Sequence, residues 1–158
     1  MIAKSPLLIA LAGALAREPT PAPAPEPCRA GSHSDAARAW SLTFLLSRSS
    51  RPDLAPTDRP ICFGGAESSI DDAQITLAAN EGEAAVAARL GHLMVHAKDG
   101  LPFRDRDRRD CAVAIVEARR LETAAWAVER ALRIDLGAPA IEPDAIDRVI
   151  AGYRARCR

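Results

Sequence analysis

The sequence predicts a predominantly helical α+β domain that is stabilised by disulfide bonds. Apolar residues make up 48% of the 158-residue chain and charged residues 27%, a balance typical of one folded domain with its own core. Aromatic residues reach only 4%, so alanine supplies much of the apolar content, which favours helix over sheet. One helical segment and two short strand-like runs precede three longer segments with helical periodicity, and this order indicates an α+β fold.

The charge balance excludes one class of partner. Lysine and arginine together number 21, as do aspartate and glutamate, so the formal net charge is zero. Because no basic run stands out, the chain lacks the electrostatic footprint that binding to nucleic acid or anionic lipid requires. We therefore expect no nucleic-acid partner, and a protein or peptide partner that the sequence does not identify.

The N-terminal residues predict export. Lys4 precedes an apolar run over 6–16 that ends in the small residues Ala14 and Ala16, so we expect a signal peptide over 1–16, cleaved near Ala16. The run is much shorter than the roughly 20 residues that span a bilayer, and we expect no transmembrane segment. Prolines alternate through the start of the following segment, 17–32, which predicts an extended linker. The expected location is periplasmic or extracellular.

Four cysteines, an even number in an exported chain, predict two disulfide bonds. No two of them form a Cys-x-x-Cys motif, which argues against a zinc ribbon or a thioredoxin-like site. Cys111 opens one predicted helix and Cys157 closes the next, so these two residues meet if the helices are antiparallel neighbours. We therefore favour Cys111–Cys157 and Cys28–Cys62 among the three possible pairings.

The domain is expected over 33–158. Ser34 can cap a helix that runs to about Ser47. Residues 61–63 and 73–78 are apolar or alternating and rich in β-branched side chains, so we expect a short β-hairpin or two-strand edge, with a turn over 68–72.

Three helices are predicted after these strands. Asn80 and Glu83 form a capping-box-like start for a helix to about Ala97. The mixed charges of 104–110 indicate a solvated connector in preference to an anion clamp. A long helix follows over 111–136, and Pro143 suits the first position of the last helix, whose apolar stripe includes Tyr153. The two middle helices form a predicted helical hairpin.

Two of the three histidines, His92 and His96, stand four residues apart in a helix-forming segment. On a helix this spacing places both imidazoles on one face, where their nitrogens can reach one metal ion. A tetrahedral zinc site needs a third protein ligand, and the next helix offers Glu117, Glu122 and Glu129. Glu122 is preferred because its small neighbours allow the helices to approach closely, and Glu117 is the rival. The alternative is a buried histidine pair satisfied by backbone or carboxylate groups.

A strand over 74–77, a helix with a His-x-x-x-His pair and a helix with Glu122 together resemble the core of minimal gluzincin metallopeptidases. The resemblance covers roughly residues 61–135 and implies zinc bound by His92, His96 and Glu122. The family's His-Glu-x-x-His motif, however, places its catalytic base where this chain has Leu93. Leucine cannot transfer protons, and general acid–base assistance typically contributes about 10²- to 10⁴-fold to a rate. The resemblance therefore implies a zincin-like domain without its catalytic residue.

These observations lead to one functional hypothesis and two alternatives. We expect an exported zincin-like pseudoenzyme without peptidase activity, with zinc in a structural or partner-binding role. The first alternative is a metal-free, disulfide-bonded helical module that serves as an envelope interaction protein. The second is an active metallohydrolase with an unusual base.

Overall fold

The computed structural model describes residues 28–51, 54, 58–78, 80–103 and 110–157. The predicted signal peptide (1–16), the first part of the predicted linker (17–27) and residues 104–109 of the charged connector lie outside these ranges. The described residues form, in chain order, β1 (His33–Ser34), α1 (Ala36–Ser47), β2 (Ile61–Phe63), β3 (Ser69–Ile70), β4 (Ile75–Leu77), α2 (Glu83–Asp99), α3 (Cys111–Leu136) and α4 (Ala145–Arg156). The predicted fold class, a predominantly helical α+β domain, is confirmed.

The strands form one small sheet in the order β1-β2-β4-β3. β2 and β4 are the two strands that the sequence predicts, and they pair in parallel with Ile61 opposite Ile75 and Phe63 opposite Leu77. They are therefore neighbours in a sheet and not the arms of a hairpin. β1 and β3 add one antiparallel strand at each edge, so part of the predicted turn over 68–72 is instead β3. Phe63, Ile75 and Leu77 are fully buried and anchor the sheet in the core.

Two predicted helix caps are wrong. Ser34 pairs with β2 as part of β1, and Asp35 caps α1 through a carboxylate that accepts a hydrogen bond from a backbone N–H of the first turn. Asn80 does not cap α2, because that helix starts after Gly82 and has no side-chain cap. Glu83 opens α2 but forms an ion pair with α1 and not a capping box.

The core lies where α2 packs between the sheet, α1 and α3. From Ala85 to His96 every residue of α2 except Arg89 is buried. Because this helix is enclosed on most of its circumference, any polar side chain on it must find its partners inside the protein. His92 and His96 are such side chains.

Both predicted disulfide pairings are found. Cys28 is bonded to Cys62 on β2, with 5.8 Å between their Cα atoms. Cys111 at the start of α3 is bonded to Cys157 just after α4, with 5.9 Å between their Cα atoms, so α3 and α4 are antiparallel neighbours. Disulfide bonds indicate an oxidising, exported environment. Among the described residues no helix has the length and apolar character to cross a membrane.

Candidate metal centre

The two histidines lie in the buried middle of α2, one turn apart. His92 is 4% exposed and His96 is 2% exposed. Their Nε2 atoms converge to 3.1 Å, as expected for side chains at positions i and i+4 that face the same neighbouring helix. The predicted juxtaposition of the two imidazoles is present in the structure.

Glu122 on α3 completes a three-residue group. Its Oε2 atom lies 3.5 Å from Nε2 of His92 and 3.7 Å from Nε2 of His96, and the carboxylate is only 3% exposed. In a tetrahedral zinc site with metal–ligand bonds of 2.0–2.1 Å, neighbouring ligand atoms lie about 3.3–3.4 Å apart. The three observed separations fall on either side of that value, so these residues fit a single metal ion.

Glu117, the rival ligand, is not near the histidines. It lies on the exposed side of α3, where Arg120 donates hydrogen bonds of 2.9 and 2.5 Å to its carboxylate. The Arg120 guanidinium holds the pKa of the Glu117 carboxyl below its ordinary value. Five residues along a helix correspond to about 500° of rotation, so Glu117 and Glu122 cannot face the same neighbour.

Tyr153 on α4 fixes the second oxygen of Glu122. The phenol donates a 2.6 Å hydrogen bond to Oε1, which leaves Oε2 directed at the histidines. Burial raises the pKa of Glu122, but hydrogen bonds with His92, His96 and Tyr153 outweigh it and hold this pKa well below the ordinary value. Burial and the nearby Glu122 raise the pKa of Tyr153, so its phenol stays a donor. The sequence had indicated only a core position for Tyr153.

Glu129 lies on the opposite side of His92. Its carboxylate is fully buried, with Oε2 3.1 Å from Nδ1 of His92 and 3.0 Å from Nη1 of Arg89. Arg133 donates a 2.9 Å hydrogen bond to the other oxygen and also lies 3.0 Å from Glu81. Burial raises the pKa of Glu129, but His92, Arg89 and Arg133 together hold it below its ordinary value. Glu129 is therefore a partner of a candidate ligand and not itself one of the three.

The spacing between Glu122 and Glu129 indicates where Glu129 lies, but only once the packing of α2 against α3 is known. Glu122 and Glu129 are seven residues apart, two helical turns, so both face α2. Trp126 lies between them, with its ring edge-on to His92 at a centroid distance of 4.8 Å. The Arg89 guanidinium covers Trp126 at 4.5 Å from the ring centroid. This packing helps to enclose the His92 imidazole.

The three candidate ligands line a cleft of about 940 Å³. β3, α2 and α4 contribute to its walls, and the residues of interest along it are His92, Leu93, His96, Glu122, Trp126 and Tyr153. A tetrahedral ion held by these three residues would have one position left, and the cleft would give a small molecule or a partner side chain access to it. Leu93, which takes the place of a catalytic base in the resemblance to gluzincins, presents an apolar surface to this cleft.

Comparisons with protein-family models, with curated proteins and with solved structures find no match to this chain. The likeness to minimal gluzincins therefore stays a prediction from the sequence, and the geometry of the site carries the functional argument.

Proposed function

We propose that this is an exported, disulfide-bonded protein that binds one zinc ion through His92, His96 and Glu122. The observation that carries the proposal is the convergence of three buried ligand atoms from α2 and α3 at separations of 3.1, 3.5 and 3.7 Å. All three residues belong to the group that could hold a metal ion. Two buried polar rings and a buried carboxylate are costly in a small core, and a shared cation offsets that cost.

The donor set favours zinc among the common divalent ions. Two imidazole nitrogens and one carboxylate oxygen suit a four-coordinate ion, whereas magnesium and calcium prefer six or more oxygen ligands. The affinity of such nitrogen and oxygen ligands for copper or nickel is also high, so it is the tetrahedral geometry that favours zinc over these two ions. The open fourth position allows water or a donor atom of a partner to complete the coordination.

We place this protein among binding proteins and not peptidases because of Leu93. A zinc-bound water has a pKa near 7, but peptide hydrolysis still needs a group that carries the proton to the leaving amine. Leu93 cannot do this. The role that remains for zinc is to cross-link α2 with α3, or to hold a partner in the cleft.

Metal analysis of the purified mature protein, with any affinity tag removed, tests the proposal. We expect about one zinc per chain after reconstitution and dialysis, and none in the His92→Ala, His96→Ala double variant. Glu117→Ala is the matched control, because it removes a glutamate from α3 outside the group, and it should retain the metal. A wild-type protein that holds no more zinc than the double variant would contradict the proposal.

One observation favours the alternative of a metal-free interaction module. The 3.1 Å distance between the two Nε2 atoms is also that of a hydrogen bond, and Tyr153 already binds Glu122. The cluster is thus partly satisfied without an ion. In that case zinc would leave the thermal unfolding temperature unchanged, and the alanine double variant would lose stability equally with and without zinc.

A further inference from the structure

We propose that the cleft binds a ligand that carries a carboxylate group, and that Arg156 at the end of α4 is the residue that binds this group. As a statement about the partner that the cleft holds, the inference rests on the proposed function. Arg156 is not one of the three candidate metal ligands, however, so its role can also be measured in the metal-free protein.

Arg156 differs from the other arginines of the cleft because its charge is not compensated. The arginines that line the cleft are Arg89, Arg148 and Arg156. Arg89 is paired with Glu129 at 3.0 Å, and Arg148 is paired with Glu142 at 2.5 Å. In the described part of the chain no acidic residue forms an ion pair with Arg156, whose printed contacts are aromatic rings. Its guanidinium is therefore available to an anion that enters the cleft.

Two aromatic rings orient the Arg156 guanidinium. Phe103 and Tyr153 are stacked, with 5.4 Å between their ring centroids and 8° between their planes. The Cζ atom of Arg156 lies 4.7 Å from the centroid of Phe103 and 5.0 Å from that of Tyr153. The next residue, Cys157, is bonded to Cys111 and anchors the end of α4 to α3. Because the planar guanidinium already stacks on aromatic faces, Arg156 is an exposed cation that is oriented before any ligand binds.

Tyr153 connects Arg156 to the candidate metal centre. The face of its ring contacts Arg156, and its hydroxyl donates the hydrogen bond to Glu122. A zinc ion bound by one carboxylate and two neutral imidazoles would keep a net positive charge. The cleft would then present two positive groups to a ligand, the ion and Arg156, and this arrangement favours an anion.

A single uncompensated arginine favours a carboxylate over a phosphate. The guanidinium fork matches the two oxygens of a carboxylate, and one positive charge balances one negative charge. A phosphate monoester carries a charge of about −1.5 to −2 at neutral pH, and Arg148, the nearest equivalent on α4, is already paired with Glu142. The cleft is also lined by Leu101, Pro102 and Val149, whose apolar side chains suit the carbon skeleton of an organic acid.

Titrations with a short peptide test the inference on the wild-type protein. The probe is N-acetyl-trialanine with a free C-terminal carboxylate, and its C-terminal amide is the neutral counterpart. NMR chemical-shift changes of the ¹⁵N-labelled protein measure binding with zinc and after chelator treatment. We expect the acid to bind at least about 10-fold more tightly than the amide, the effect of hydrogen bonds between charged groups. An acid that gives no saturable shift changes, or that binds no more tightly than the amide or than inorganic phosphate, would overturn the inference.

A second probe distinguishes two sources of the carboxylate. N-acetylalanine has the same terminal group as the tripeptide but only one residue. Equal affinity for the two acids assigns the site to small organic acids, and weaker binding of N-acetylalanine assigns it to the C-terminus of a peptide.

Matched variants test the role of Arg156. Arg156→Gln removes the charge, and we expect its affinity for the acid to fall about 10-fold or more while its affinity for the amide is unchanged. Arg156→Lys keeps the charge but not the fork and should bind with intermediate affinity. Arg154→Gln is the control, because Arg154 is an exposed arginine of the same helix that does not line the cleft. An equal loss of affinity in Arg154→Gln and Arg156→Gln would show that only net charge matters and would overturn the assignment.

Zinc content separates this inference from the proposed function. Arg156→Gln should retain the metal, because the three candidate ligands are unchanged. A wild-type protein that binds no zinc but binds the acid through Arg156 contradicts the proposed function and supports the carboxylate site. A wild-type protein that binds zinc but not the acid has the opposite meaning.

Discussion

Gly91 on α2 lies directly against Leu132 on α3, so that a Cβ atom on Gly91 would come within 2.2 Å of Leu132 Cδ1. Leu132 is fully buried and cannot move aside without disturbing the core. The absence of a side chain at Gly91 thus sets how closely the two helices approach. His92, the next residue, reaches Glu122 because of this close approach.

Gly91→Ala is expected to destabilise the metal-free protein by about 1–3 kcal/mol through overpacking, and to weaken zinc binding by separating α2 from α3. Urea unfolding and a zinc titration measure the two effects. Gly152→Ala is the control, because nothing lies within 4 Å of a Cβ atom there and a helical glycine costs about 0.5–1 kcal/mol relative to alanine. That variant should be more stable than the wild type. Equal stability of the two variants would contradict this account of the helix contact.

Leu93→Glu is expected to create peptide hydrolysis in the zinc-loaded protein, where the wild type shows none above background. General acid–base catalysis typically raises a rate by about 10²- to 10⁴-fold, and a leucine cannot supply it. Turnover of casein or a fluorogenic peptide measures the gain, and Leu93→Gln, which cannot accept the proton, should remain inactive. Hydrolysis by the wild type that disappears in the His92→Ala, His96→Ala variant would instead support an active hydrolase with an unusual base.

Tyr153→Phe removes the hydrogen bond to Glu122 and keeps the ring that stacks on Phe103. We expect a loss of about 1.5–3 kcal/mol in unfolding free energy near neutral pH, the usual contribution of a hydrogen bond to a charged group. Thermal or urea unfolding of the metal-free protein measures it. An unchanged unfolding free energy would show that the phenol does not stabilise the carboxylate.

The same variant has a predictable pH dependence. The folded-state pKa of Glu122 lies below the ordinary value of 4.5, so the folded protein binds fewer protons than the unfolded chain as the pH falls. The stabilisation from Glu122 is therefore complete above about pH 4.5 and is lost progressively on acidification. Tyr153→Phe raises this pKa, and we expect its stability to decline less steeply in acid than that of the wild type. Parallel curves of stability against pH would argue against the assignment.

The two disulfides should differ in their effect on the candidate metal centre. One double variant, Cys111→Ala with Cys157→Ala, removes the link with a sequence separation of 46. The other, Cys28→Ala with Cys62→Ala, removes the link with a separation of 34. Each should lower the free energy of unfolding by about 2–4 kcal/mol. Only the first pair frees α4, which carries Tyr153. We expect zinc affinity to fall in the first double variant and to stay close to wild type in the second. Equal affinities would show that Tyr153 does not depend on this link.

Much of the fold could be predicted because its signals are local. Helical periodicity placed the long helices, and the four-residue spacing of His92 and His96 placed both rings on one face. Small neighbours favoured Glu122 over Glu117, and Glu122 is the glutamate that lies beside the two histidines. The order of helices was enough to select both disulfide pairings.

The remaining features depend on contacts between distant segments. β1 and β3 contain two residues each, too few for an alternating pattern, and they exist because β2 and β4 offer edges to pair with. Ser34 has the side chain of a helix cap, but its backbone is used in the sheet. The roles of Glu129 and Tyr153 follow from the way α2, α3 and α4 pack, which no local window of sequence contains.

The Cys111–Cys157 link joins the helix that carries Glu122 to the helix that carries Tyr153. A newly made chain in a reducing environment lacks this link. In that chain α4 would not be held against α3 in the position from which Tyr153 donates its hydrogen bond to Glu122. Under the proposed function, tight binding of an ion would therefore follow the formation of this disulfide, which requires an oxidising environment. The order of events we expect from the proposal is thus synthesis of the chain first, formation of the disulfide second and binding of the metal last.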